Sequence, residues 1–124
     1  MPTNPKTILI VEDNELNAKL FRDLLSSKGH RILETREGSE AIRITQTERP
    51  DLILMDIQLP EISGFDIIRM MKDDSSLLSI PIIAITAFAM KGDEEKIRLS
   101  GCDDYLSKPI SVGKFFETVQ KYLG

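Results

Sequence analysis

Four short strand-like runs each close on a residue with chemistry, and no other feature constrains this chain as strongly. Ile8-Leu9-Ile10-Val11 is followed by Glu12 and Asp13, and Leu52-Ile53-Leu54-Met55 by Asp56. Ile82-Ile83-Ala84-Ile85 is followed by Thr86, and Tyr105-Leu106-Ser107 by Lys108 and Pro109. Apolar runs of this length, separated by amphipathic stretches, read as parallel strands buried on both faces. Ligands of open α/β sheets bind just beyond the carboxyl ends of the strands. The carboxylates of Glu12, Asp13 and Asp56, the Thr86 hydroxyl and the Lys108 ammonium are therefore expected to converge on one spot. Such a spot suits a divalent metal and a phosphoryl group.

The intervening segments complete five β-α units. Strands are expected over residues 7–11, 31–35, 51–55, from Pro81 onward, and 104–107. Asn14 reads as an N-cap, with Leu16, Leu20, Phe21, Leu24 and Leu25 at helical spacing and Gly29 as the stop. A second helix over 38–48 turns Ala41, Ile42 and Ile44 inward and stops before Pro50. Residues 56–64 form a loop punctuated by Pro60 and Gly64, and the helix that follows buries Ile67, Ile68 and Met71. The helix over 91–100 is nearly all polar and is expected to be the least stable element. After Ser111, an N-cap candidate, Val112, Phe115, Phe116, Val119 and Leu123 mark a final amphipathic helix. Only the second strand lacks a continuous apolar run, which places it at an edge. The order that does so is the flavodoxin-like 2-1-3-4-5, a doubly wound parallel sheet of α/β class that sets Glu12, Asp13 and Asp56 at the switch point.

Composition narrows the function classes. A chain of 124 residues is read as one domain over 1–124, with 1–6 a frayed leader and no room for an output domain. A net charge of −4 argues against a non-specific nucleic-acid binder. No run is long enough to span a bilayer. The single cysteine, Cys102, excludes an internal disulfide and is read as a small buried apolar residue; His30 is read as a surface loop residue.

Packed carboxylates repel, and a hard cation such as Mg²⁺ relieves them while keeping positions for phosphate oxygens. Lys108 brings a point charge for a phosphate oxygen, and the Thr86 hydroxyl a donor. A carboxylate is also a nucleophile toward phosphorus. These residues describe a site at which Asp56 accepts a phosphoryl group.

Val11-Glu12-Asp13-Asn14, Asp51 through Asp56, Pro60 through Gly64, Ile85-Thr86-Ala87 and Tyr105-Leu106-Ser107-Lys108-Pro109 together make the chain resemble, end to end, a response-regulator receiver domain of bacterial two-component signalling. The nearer resemblance is to stand-alone members that govern cell division and polarity. The resemblance implies that Asp56 is the phosphoacceptor. Asp13 and Asp56 would hold Mg²⁺ directly, with Mn²⁺ able to substitute, Glu12 through water and Gln58 through its backbone carbonyl. Thr86 and Tyr105 would form a switch pair, and Lys108 would pair with the phosphoryl group beside a cis Pro109 bond. Glu12 stands where aspartate is also common in that family, a departure of little consequence.

The implied partners are a histidine kinase or kinase-phosphatase, or a phosphotransfer protein, docking over Asn14, Asn17, Phe21 and the Pro109 loop, and a downstream effector protein. The effector would read helix four, strand five and helix five, around Phe88, Met90 and Tyr105. The protein is expected to be cytoplasmic, monomeric or weakly dimeric, and recruited to cell poles by a membrane kinase. It is a stoichiometric phosphoacceptor rather than an enzyme; a phosphate sink or shuttle in a phosphorelay is the alternative. Gln58 and Phe88 would flank the path of a hydrolytic water, and Phe88 cannot orient one, so self-dephosphorylation is expected to be slow. A carboxylate-nucleophile phosphatase would need an acid at Gln58. A nucleotide hydrolase would need a glycine-rich phosphate loop, which is missing. A flavin carrier would meet a repelling acidic first loop.

Overall fold

The computed structural model describes residues 5–60, 62–87 and 91–123, with the backbone alone for 91–94. The elements alternate throughout: β1 (Thr7–Val11), α1 (Glu15–Ser26), β2 (Arg31–Thr35), α2 (Gly38–Glu48), β3 (Leu52–Asp56), α3 (Gly64–Asp73), β4 (Ile82–Thr86), α4 (Lys91–Ser100), β5 (Asp104–Ser107) and α5 (Val112–Leu123). The five strands are parallel and lie in the order β2-β1-β3-β4-β5, as the apolar patterning implied.

Two cores explain why the strand runs are unbroken. Leu9, Val11, Ile53, Met55, Ile82 and Ala84 face α2 and α3, where Ala41, Ile67, Ile68 and Met71 meet them. Ile8, Ile10, Leu52, Leu54, Ile83 and Ile85 face α1 and α5, against Phe21, Leu25, Phe115 and Val119. Successive strand residues thus enter opposite cores. Phe21 and Phe115 stack at 5.4 Å between ring centres and tie α1 to α5.

Polar groups lock the amino ends of the strands. Asp51 Oδ2 accepts the Thr7 N–H at 2.8 Å, and Asp103 Oδ2 accepts the Ile82 N–H at 2.8 Å. Lys72 Nζ, on α3, donates to the same Asp103 oxygen at 2.8 Å.

Several expectations shift in detail. Leu16 is 79% exposed, not part of the inner face of α1. The buried stripe is Ala18, Phe21 and Leu25, and Leu16 falls off it in the first turn. On α2 the buried residue beside Ala41 is Thr45, whose hydroxyl donates to the Ala41 carbonyl at 2.7 Å and so enters the core satisfied; Ile42 and Ile44 are half-buried. β3 begins and ends one residue later than expected, so Asp56 is its last residue, paired with Ile85. His30 lies in the loop before β2, as expected, and is half-buried, with its Nδ1 accepting the Lys6 N–H. Cys102 is half-buried and donates its thiol to the Ile97 carbonyl. Of the described α4 side chains, Ile97 and Ser100 are buried and Leu99 is 73% exposed.

Candidate phosphoacceptor site

The site grows out of strand ends. β1 and β4 flank β3, so Glu12, one residue past β1, emerges beside Asp56. The Glu12 N–H donates to the Thr35 carbonyl at 3.1 Å and prolongs the β1–β2 ladder by one step. Glu12 and Asp56 are 2% and 3% exposed, and their carboxyls lie within hydrogen-bonding reach of each other. The Asn14 N–H donates to Glu12 Oε2 at 3.1 Å, and the Gln58 N–H to Asp56 Oδ1 at 3.0 Å.

Lys108 closes the cluster. Ser107 pairs with Thr86 across β4 and β5, and the Lys108 N–H donates to the Thr86 carbonyl at 2.8 Å. Its Nζ then stands 3.6 Å from Glu12 Oε1 and 3.5 Å from Asp56 Oδ1. The bond to Pro109 is cis. Those separations are ion pairs rather than good hydrogen bonds. Glu12 Oε1 is buried with no donor on it among the described residues.

The electrostatics follow. Burial first, and the Asp56 carboxyl second, push the Glu12 pKa up to about 7, against the opposing pull of the Asn14 amide and Lys108. Two buried carboxyls and one ammonium leave Glu12 protonated through much of the acidic range.

Asp13 is placed differently. It is exposed, at a bend of the chain between β1 and α1, whereas Glu12 is buried. Among the described residues no three Asp, Glu, His or Cys side chains stand together as a ready-made metal cage. The donor set nonetheless suits a hard cation: an orphaned, buried Glu12 oxygen, the Asp56 carboxylate, and an exposed Asp13 one residue along the loop.

Thr86 ends β4 and is 2% exposed, while Tyr105, opposite Ala84 on β5, lies at the surface. Phe88 and Met90 lie outside the described residues.

One contributor escaped the sequence reading, which took Gly64 for loop punctuation. A side chain there would place its Cβ 2.3 Å from the Asp56 carbonyl oxygen and 2.7 Å from Ile57 Cα. The Gly64 N–H donates to the Ile57 carbonyl at 3.0 Å, and Ser63 caps α3 by accepting the Phe65 N–H. α3 therefore starts in direct contact with the backbone that carries Asp56. The available signal was a glycine directly after an N-cap serine, eight residues past a strand-ending aspartate.

The model of the response regulator receiver domain family matches residues 8–120. The polar-differentiation response regulator DivK of Brucella anthropi is 60% identical over 120 residues, which cover 97% of this chain and 98% of that protein. The receiver domain of sensor histidine kinase PA1611 from Pseudomonas aeruginosa, solved with a magnesium ion coordinated in its active-site cleft, superimposes with a TM-score of 0.89 at 35% identity, covering 97% of this chain and 98% of that one. The Saccharomyces cerevisiae Ssk1 receiver domain, solved with the histidine phosphotransfer protein Ypd1, gives 0.88 at 29% identity, covering 96% of this chain and 89% of that one.

Proposed function

This chain belongs to the response-regulator receiver family, and from that premise we propose that Asp56 takes a phosphoryl group from a histidine kinase or phosphotransfer protein and so switches a protein-binding surface. The observation that carries this is the buried Glu12–Asp56 pair with Lys108 lying across it at the carboxyl ends of adjacent strands. A merely structural role would leave two carboxylates buried at a cost of several kcal/mol with no return.

The transfer is a displacement at phosphorus. An Asp56 carboxylate oxygen forms the new P–O bond as the donor's P–N bond breaks, and the bonding pair leaves with the imidazole nitrogen. Lys108 pairs with a phosphoryl oxygen, and the Thr86 hydroxyl donates to another. The Gln58 N–H holds the Asp56 carboxylate in orientation. Asp13 and Asp56 directly, Glu12 through water and Gln58 through its carbonyl would hold Mg²⁺, or Mn²⁺ in its place. When bound, the cation neutralises phosphoryl charge.

The likeness to DivK supports a role in cell division or polar differentiation. The pairing of Ssk1 with Ypd1 supports a phosphotransfer partner. Among the described residues no helix is long and apolar enough to cross a membrane. The readout face is α4, β5 and α5, with Thr86 and Tyr105 as the switch pair. Of the described α4 side chains only Ile97 and Ser100 are buried, so small differential contacts can shift the helix.

Intact-mass measurement after incubation with acetyl phosphate and Mg²⁺ tests the assignment. One phosphoryl adduct is expected on the wild type, and none on Asp56→Asn or without the metal. An adduct retained by Asp56→Asn would move the acceptor elsewhere.

A further inference from the structure

The end of the sheet remote from Asp56 holds a recess of about 380 Å³ between α1 and α5. Its floor is apolar, formed by Leu25, Val119 and Leu123 of the α1–α5 core together with the Phe116 ring. Its rim is basic. Lys28 Nζ stands 4.9 Å over the Phe116 ring, a cation–π contact that holds the ammonium above the floor. Lys6 lines the same recess, and neither lysine is ion-paired with a carboxylate among the described residues.

His30 adds a ring donor to the lining. Its Nδ1 accepts the Lys6 N–H at 3.2 Å, which leaves the ring proton on Nε2. Burial first, and then Lys6, hold its pKa below the usual histidine value, so that tautomer is the resting form. Two lysines and a histidine line an apolar floor in a chain of net charge −4; among the described lining residues Glu117 is the one acid, and Asp51 also acts on His30.

From this arrangement we infer that the recess binds an amphipathic anion: a carboxylate bearing an aliphatic or aromatic tail, its head among Lys6, Lys28 and His30 and its tail on Leu25, Phe116 and Val119. The volume is that of a small-ligand site. An ammonium alone would attract any anion; the apolar floor selects one with a tail. The recess opens at the amino ends of the strands, so its occupant does not compete with the phosphoryl donor.

Backbone amide shifts of the full chain, titrated with decanoate below its micellar concentration, test this. Saturable shifts are expected at Lys6, Lys28, His30 and Phe116, with acetate and decyltrimethylammonium giving none. Lys28→Glu should weaken decanoate about tenfold by turning an attraction into a repulsion, while its uptake of phosphoryl groups stays at the wild-type rate. Glu117→Gln should tighten binding roughly threefold, the scale of one exposed charge. Equal response to the cationic amphiphile, shifts scattered over other faces, or an unchanged affinity in both variants would overturn the inference. The lysines would then serve only to offset the carbonyl ends of α1 and α5, which stop at this edge.

Discussion

Replacing Glu12 by glutamine should stabilise this protein above neutrality and leave it nearly unchanged in mild acid. The folded pKa of Glu12 is raised from 4.5 to about 7. Below 4.5 the carboxyl is protonated in both folded and unfolded chains, and burial carries no ionic penalty. Between 4.5 and 7 the unfolded chain has released the proton while the native state keeps it, so stability falls as pH rises. Above 7 both states are ionised and the whole penalty stands. Holding the proton one pH unit longer in the folded chain than in the unfolded one is worth about 1.4 kcal/mol, so the penalty comes to about 3 kcal/mol. That is a sizeable share of a domain's usual net stability of roughly 5–15 kcal/mol. Glutamine keeps the shape and can still donate to Asp56, but never ionises. Urea unfolding in EDTA, followed by far-ultraviolet circular dichroism at pH 5 and pH 8, measures the difference. Glu12→Gln is expected to exceed the wild type by about 3 kcal/mol at pH 8 and by less than about 1 at pH 5. Asp23 and Asp74, which titrate below the usual carboxylate value, give the opposite slope at lower pH, but they do so in both proteins and cancel. Parallel pH profiles for the two proteins would refute the reasoning. Saturating Mg²⁺ should then stabilise the wild type more at pH 8 than at pH 5, because the proton and the cation relieve the same repulsion.

Three further outcomes are expected. Lys108→Met removes the ammonium between Glu12 and Asp56, so the Glu12 titration, followed by carboxyl ¹³C shifts, should move to higher pH while phosphoryl uptake falls; an unmoved titration would show that Lys108 does not act on the pair. Gly64→Ala drives a Cβ into the Asp56 carbonyl and should cost about 3 kcal/mol or more in urea unfolding, with slowed phosphorylation under conditions where the variant is folded. Phe88→Glu and Phe88→Ala should both hasten loss of the phosphoryl group from Asp56, read as decay of the mass adduct after the donor is removed; unchanged decay would show that Phe88 does not limit access of water.

The fold was legible because both cores draw on the same strands. A strand buried on two faces leaves an unbroken apolar run, and β1, β3 and β4 carry one; β5, expected to be apolar throughout, lies at the other edge of the sheet and buries only Leu106. Asp56, Thr86 and Lys108 could be placed because strand ends are one-dimensional facts. Side-chain direction is not. Glu12 and Asp13 look equivalent as letters, yet one is buried and the other exposed, because the chain has left the strand and bends at Asp13. Leu16 misled for a related reason: helical spacing finds a stripe but not where along the helix the core ends. Thr45 is core because its hydroxyl is satisfied within its own helix, which no hydropathy pattern records. Gly64 was hidden because its role is an absence of atoms beside a backbone 8 residues away in sequence.

The alternation of β1, β3 and β4 between two equally apolar cores has a cost in specificity. In a sheet with one wet face, a slip of one residue exposes the core and forbids itself. Here a slip would only exchange one apolar set for another. What forbids it must be polar and sited at the ends. Asp51 on the Thr7 amide and Asp103 on the Ile82 amide are such pins, each seated at the far margin of the sheet from the acceptor. The registers of β1 against β3 and of β4 against β5, and so the meeting of Asp56 with Glu12 and of Thr86 with Lys108, are therefore indexed from the opposite end of the molecule. Asp51 and Asp103 act as the zero mark of the ruler on which the phosphoacceptor is read.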